Sequence, residues 1–302
     1  MRDSFQWFCH PKPLIFICYR REFYEKAVIK LNLLEAMRSF NVIVLRDHVQ
    51  CGGVAEGRVL VGRNAIYQKY GLGQTLTTSV SRADLLVKEK MYIRESTNYA
   101  GNSVLEKPLG NQCYQMTHGN YVFPQPIYEN IPNIRYLKRE AESLVQSLFL
   151  LPETGTSYYL YRTLTFSGQN ACYNLFSIDF PQNKESSFWE ELQTINFVVP
   201  ADTTIIINVR GSYVCLDDYR FYWNGLEISK KMAANILWNF GESQVVLGRE
   251  GKMKGTILAP QACFWGESSI CGTVVVKDLV GSMTAKLPTF QGYFPAEVKY
   301  LI

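Results

Sequence analysis

Gly255-Thr-Ile-Leu-Ala-Pro260 and Gly272-Thr-Val-Val-Val-Lys277 are two Gly-Thr openings 17 residues apart, each leading into a short run of β-formers. A hairpin joins its strands through about two to five residues, too few for this spacing. One coil of a parallel β-solenoid needs a longer repeat, and a 17-residue step fits it. Asn235-Ile-Leu-Trp-Asn-Phe240 supplies a third β-forming run just upstream. The fold class expected from these runs is mostly β, a parallel β-helix. Such scaffolds stack flat ladders and more often bind or assemble than catalyse.

Working towards the N-terminus, strand-like runs are Asn41-Val-Ile-Val-Leu45, Arg58-Val-Leu-Val61, Asp84-Leu-Leu-Val87, Met91-Tyr-Ile93, Tyr158-Tyr-Leu-Tyr161, Thr163-Leu-Thr-Phe166, Asn174-Leu-Phe-Ser-Ile178, Ile195-Asn-Phe-Val-Val199 and Thr203 to Val209. Glycines at 52, 53, 57 and 62 mark corners. Two helices interrupt the pattern. Phe23, Ala27, Leu31, Leu34 and Met37 recur at spacings of three and four, which predicts an amphipathic helix over Arg20 to Phe40 that caps an open end of the solenoid or docks on a neighbour. Ile134, Leu137, Ala141, Leu144, Val145 and Leu148 form one apolar face of a second helix over about 131–150, capped by Asn130 or Asn133. At about 1.5 Å per residue it reaches about 25 Å, enough to lie along some five stacked strands. The expected organisation is an arm and helix over 1–39 and a β-helix domain over 40–302. The C-terminal Ala296-Glu-Val-Lys-Tyr-Leu-Ile302 alternates and reads as an edge strand, within this subunit or added to another's sheet.

Composition narrows the class of function. The 302 residues are 47% hydrophobic, 14% aromatic and 19% charged, with 19 Tyr and 17 Phe, and the net charge is +4. Tyr at this level suits exposed contact faces as well as cores. No Lys/Arg run reaches the density of a nucleic-acid binder, and no apolar stretch approaches a membrane span of roughly 20 residues. Cysteines stand at 9, 18, 51, 113, 172, 215, 263 and 271 with no C-x-x-C pair, and only three His accompany them, so neither a metal nor a cofactor is expected. The thiols read either as free, in a reducing compartment, or as bridged within or between subunits. Cys263 and Cys271 flank one bend, and the sequence leaves their pairing open. The five apolar residues Leu14 to Cys18 are too few for a signal peptide, so the chain is expected to be intracellular, released by a route such as mother-cell lysis, or numbered from a processed form.

Several motifs have plainer readings. Leu151-Pro-Glu-Thr-Gly155 matches a wall-sorting signal, but half the chain follows it, and Pro with Gly here reads as a helix-terminating turn. Asp217-Asp218 reads as a turn, and Asp47-His48 lacks a nucleophile in a strand-turn-helix setting. Thr163-Leu-Thr165 and Thr75-Leu-Thr77 do not recur at a coil period, which argues against the flat Thr array of ice binding.

Phe40-Asn-Val-Ile-Val-Leu45, Glu56-Gly-Arg-Val-Leu-Val-Gly-Arg-Asn-Ala65, Tyr70-Gly-Leu-Gly73, Thr204-Ile-Ile-Ile-Asn-Val-Arg-Gly211, Asn235 to Phe240 and Gly255 to Pro260 together resemble the choice-of-anchor A family of bacterial surface proteins, over residues 40 to 294. The resemblance implies a β-helix with a long helix packed along it, and an extracellular, adhesive or structural role without catalysis. Arg46-Asp47 stands where that family has Gly-Asp.

The leading expectation is a non-enzymatic bacterial surface protein, of spore-layer or appendage type, that self-assembles into a homo-oligomer or polymer through its termini. Cys9, Cys18, Phe23 and Tyr300 are its candidate contacts or crosslinks. The alternative is a monomeric adhesin for a matrix protein such as collagen, or a glycan, on a Tyr-rich face.

Overall fold

The computed structural model of the chain describes residues 31–110, 112–118, 125–180 and 191–300, the side chains of 118, 299 and 300 excepted. Its core is a three-walled parallel β-helix. The first coil is β1 (Val42–Val44), β2 (His48–Cys51) and β3 (Val54–Ala55), and the second is β4 (Val59–Val61), β5 (Asn64–Gln68) and β6 (Gly71–Leu72). Then come β7 (Ala83–Val87), β8 (Lys90–Asn98), β9 (Asn102–Leu105), β10 (Tyr114–His118) and β11 (Ile127–Tyr128). After the helices α1 (Leu33–Ser39) and α2 (Ile134–Leu150), the strands resume as β12 (Gly155–Leu160), β13 (Thr163–Gly168), β14 (Tyr173–Asp179), β15 (Thr194–Val198), β16 (Thr204–Arg210), β17 (Tyr213–Leu216), β18 (Arg220–Trp223) and β19 (Leu226–Glu227). A short helix α3 (Lys230–Ala233) precedes β20 (Ile236–Asn239), β21 (Val245–Lys254), β22 (Thr256–Cys271) and β23 (Val274–Lys286).

The order of coils in space is not their order in the chain. On the first wall the parallel stack runs β11-β9-β7-β4-β1-β23-β22-β20-β16-β14. The chain thus builds from its first coil towards one end and resumes beyond α2 at the other. It then builds back until the last coil closes on the first. That seam joins β23 to β1, β2 and β3 at once, with Val42 beside Val274, Val49 beside Val280 and Val54 beside Thr284. The 17-residue Gly-Thr period is the step from Leu258 to Val275, and it recurs from Ile43 to Leu60.

The first wall is buried on both sides, which is why its strands read as unbroken apolar runs. Val42, Val44, Val59, Val61, Val274 and Val276 point into the bore. The alternate residues Val104, Leu86, Leu60, Ile43, Val275, Leu258, Leu237, Ile206 and Leu175 form a second core with Leu33, Ala36 and Met37 of α1 and Leu137, Ala141, Leu144 and Leu148 of α2. Each aliphatic side chain so buried contributes roughly 1.5–3 kcal/mol. Helix ends meet polar partners. Asn32 and Glu35 make a capping box on α1, and Glu140 of α2 accepts the Leu33 N–H at 2.7 Å. Towards the other end of α2, the Asn208 side chain donates to the Leu148 carbonyl, one of the last four that a helix terminus leaves without partners, and the Asn239 side chain donates to the Val145 carbonyl less than one turn earlier.

Two expectations change here. The helix expected over Arg20 to Phe40 is Leu33–Ser39 among the described residues, begun by the Asn32 cap, and it lies on the first wall, where Met37 O and Phe40 O accept from Thr273 Oγ1 at the middle of the stack. It therefore covers a side and not an open end; Cys9, Cys18 and Phe23 fall outside the described residues. The C-terminal segment is no edge strand: Ala296–Tyr300 is a 3-10 turn with Val298 buried in the second core. The segment packs on α2, and of the side chains described in this turn Val298 is the buried one. Tyr300 ends that turn.

Asn41 fastens the seam. Its Nδ2 donates to Gly272 O at 2.7 Å and Lys286 O at 3.2 Å, and its Oδ1 accepts from Gly57 N at 3.2 Å. Asn41→Leu removes all three bonds and takes the partner from Gly272 O and Gly57 N, while Lys286 O keeps the Gly272 N–H; each buried group so stranded costs about 1–3 kcal/mol before relaxation. A loss of about 2–3 kcal/mol is expected in urea denaturation, and an unchanged midpoint would contradict the role given to Asn41.

Candidate functional site

The second wall is the stack β10-β8-β5-β2-β23-β22-β21-β17, paired in parallel throughout. Neither α1 nor α2 covers it, because both helices lie against the first wall. Its inward residues, among them Ala65, Tyr67, Met91, Ile93, Phe264 and Leu279, belong to the bore. Strand alternation then fixes what faces outwards. Along the middle of the wall the register aligns Tyr92, Ile66, Val49, Val280, Trp265, Leu247 and Cys215 into one ladder. Trp265 is 58% exposed, and Tyr92 and Ile66 are each 41% exposed. Seven rungs at about 4.8 Å make an apolar stripe about 29 Å long.

Polar ladders border the stripe. On one side run Arg94, Gln68 and Cys51, then Ser282, Glu267 and Arg249, joined where Ser282 Oγ donates to Cys51 O at 2.7 Å. On the other side Asp278, Cys263, Val245 and the exposed Tyr213 stand in register. Soluble proteins seldom leave large contiguous apolar surface uncovered, and an apolar strip with a polar rim marks a contact site. No threonine lies in the central ladder, so the face lacks the flat Thr array expected of ice binding.

The acidic pairs do not converge. Asp47 faces outwards, in an ion pair with Arg63 and a hydrogen bond from Asn64 at 3.0 Å, and the Arg63 guanidinium holds its carboxyl below the ordinary value. His48 turns the other way, into the bore, with Nδ1 2.7 Å from Tyr67 Oη, and burial pushes its pKa down to about 3. Asp217 and Asp218 lie in the irregular link between β17 and β18 and do not form the expected turn; the Asp218 N–H donates to Asp217 Oδ1 at 2.9 Å. They follow β17, four strands along this wall from β2 and at its opposite edge, about 19 Å along the stack from Asp47. Among the described residues no cluster of His, Cys, Asp and Glu is arranged to hold a metal.

The six described cysteines are free. Cys263 stands on the second wall and Cys271 is buried at the corner before Gly272, so these two do not bridge. Burial pushes the thiols of Cys215, Cys263 and Cys271 up, which makes them poor nucleophiles. Among the described residues, no helix is long and apolar enough to cross a membrane.

The sequence contained every residue of the stripe but not its alignment. Ile66, Tyr92, Leu247, Trp265 and Val280 lie far apart in the chain, and only the register gathers them.

A family model described as "Putative Ice-binding-like adhesive domain" matches residues 33–287. A search of curated proteins finds no match. Among solved structures, an ice-binding protein from an Antarctic biological consortium is 12% identical, over 87% of this chain and 92% of its own, at a TM-score of 0.39. A glycosylated ice-binding protein from an Arctic yeast is 14% identical, over 90% and 98%, at 0.35. An ice-binding domain of Shewanella frigidimarina is 13% identical, over 88% and 99%, at 0.32.

Proposed function

This chain belongs to the family of putative ice-binding-like adhesive domains, and from that premise we propose that it is a non-enzymatic, extracellular surface protein that adheres through its second wall. The observation that carries the reading is the ladder from Tyr92 to Cys215, which neither described long helix covers, with the exposed Trp265 next to its middle rung. A flat aromatic and aliphatic stripe with charged borders suits an extended partner, a matrix protein such as collagen or a glycan chain, that lies along the rungs. Trp and Tyr give large contact area at little entropic cost. The resemblance to choice-of-anchor A proteins, and a cell or spore surface as the setting, belong to this proposal.

The test is saturable binding of the purified protein to immobilised collagen and to insoluble polysaccharides. Trp265→Ser is expected to weaken the productive interaction at least about tenfold, since a central aromatic carries 2 kcal/mol or more at a contact hot spot. Its folding stability should move by no more than about 0.5 kcal/mol, as for other exposed substitutions. Full binding by Trp265→Ser, or no binding by the intact protein, would sink the proposal.

Self-assembly is the second reading. One observation favours it: β12, the outermost strand of the five-stranded sheet at one end of the stack, is exposed from Thr156 to Leu160. The arm carrying Cys9, Cys18 and Phe23 belongs to the same reading, as a second contact between subunits.

A further inference from the structure

The five-stranded sheet continues the third wall in the order β12-β13-β15-β18-β19 and contains two hairpins with two-residue loops. Trp223 pairs with Leu226 around Asn224 and Gly225, both at positive φ (49° and 80°). That is the residue pair a tight turn of this kind favours. Leu160 pairs with Thr163 around Tyr161 and Arg162, at φ 48° and 61°. Here two bulky L-residues hold the left-handed conformation that glycine takes at little cost. Tyr161 is 89% exposed, so burial does not repay that strain. Strain kept at an exposed Tyr-Arg tip is expected where those side chains meet something, and both types are enriched at contact hot spots.

The strand leading to this tip has the same character. Gly155-Thr-Ser-Tyr-Tyr-Leu160 contains no charge and no proline, and among the described residues it pairs only with β13. Natural edge strands are normally guarded by lysine, proline or a bulge. Tyr158 is 54% and Leu160 55% exposed. An uncharged edge meets no like-charge repulsion when it is set against itself, which favours a second copy of this chain over an oppositely charged partner.

We propose that β12 pairs antiparallel with β12 of a second copy, about a two-fold axis through Tyr158. The axis stands perpendicular to the sheet, so outward residues stay outward. Thr156 then faces Leu160, Ser157 faces Tyr159, and Tyr158 faces its own counterpart, turning two five-stranded sheets into one of ten strands. A few aromatics at about 150–250 Å² each bury less than the roughly 800 Å² per partner of a standard interface. The dimer is therefore weak, reversible and concentration-dependent, and it joins two adhesive walls end to end. This inference deepens the self-assembly reading and rests on it.

The experiment is sedimentation of the full chain under reducing conditions across a concentration series. The parent is expected to shift from monomer to dimer. Tyr158→Lys puts like charges opposite each other and is expected to stay monomeric with an unchanged circular dichroism spectrum. Tyr161→Asn with Arg162→Gly, which supplies the favoured turn, is expected to raise the unfolding midpoint by about 2 °C or more while weakening the dimer at least about tenfold. Tyr158→Cys is expected to give a covalent dimer on mild oxidation at a higher yield than the parent, and Tyr213→Cys on the second wall is not. A parent that is monomeric throughout overturns both this inference and the assembly reading. If Tyr158→Lys associates like the parent, and deletion of residues 1–30 abolishes association, only the β12 inference falls.

Discussion

Acidification from pH 6.5 towards pH 3 is expected to strip on the order of 4 kcal/mol of folding stability from this protein through one side chain, His48. Its imidazole is fully buried, with Tyr67 and Tyr70 rings edge-on at 5.0 and 5.5 Å, and burial holds its pKa near 3. The same surroundings push the two phenols up, so neither supplies a negative charge to stabilise an imidazolium. In the unfolded chain His48 takes a proton near its ordinary value of about 6.5. Between these values the unfolded state binds more protons than the folded one. Stability is therefore complete above about pH 6.5 and falls by about 1.4 kcal/mol for each unit of acidification below it. Urea denaturation at half-unit steps from pH 7 to pH 4 measures the slope. His48→Phe should flatten it between pH 6.5 and 5, above the range where carboxylates titrate. A parent profile that is already flat there would show that His48 is protonated in the folded state.

Gly272→Ala should be more damaging still, at more than about 4 kcal/mol, enough to lose most soluble protein. Gly272 sits at φ +155°, and a Cβ added there would lie 2.4 Å from Gly255 O and 2.5 Å from Gly255 C. Both neighbours are backbone of the adjoining rung, so no rotamer change relieves the overlap and the strands must part. The displacement strains the bond from Gly272 N to Lys286 O at 3.0 Å, which ties the β22 coil to β23, and the one from Asn41 Nδ2 to Gly272 O at 2.7 Å, which closes the seam. Gly110→Ala is the control. Gly110 also has positive φ (+57°), but a Cβ there meets nothing within 4 Å, so only the left-handed penalty of about 1–2 kcal/mol applies. Soluble yield and urea midpoints of the two variants should differ widely; equal losses would mean that close packing of the rungs is not what Gly272 serves.

These glycines show what the sequence made legible. Gly255-Thr and Gly272-Thr gave the coil and its period, because a rung that packs backbone on backbone leaves a local signature. The apolar face from Ile134 to Leu148 gave the second helix for the same reason, since helical periodicity is local. The order of the coils was not legible. Nothing near Val42 states that it pairs with Val274, and strand alternation separates inside from outside without saying which outer surface a helix will cover. Ile43 and Ile66 both face away from the bore; one lies in the second core and the other is open to solvent. The candidate face therefore depended on long-range register. The C-terminal segment misled for a related reason: alternation over Ala296 to Tyr300 is shared by an edge strand and by a short turn that buries Val298.

Most solenoids can be trimmed a repeat at a time, since each coil touches only its neighbours in the chain. The seam between β23 and the first coil removes that freedom. The rung at the centre of the stack is the last in the chain of the strands described, so the β1–β11 coils and the β12–β22 coils remain two separate stacks until β23 is made. A premature stop near residue 270 would not shorten the rod; it would cut it in half. Formation of the complete rod is correspondingly a late, long-range event, slow for its size, and the molecule is cooperative in a way its repeating architecture conceals.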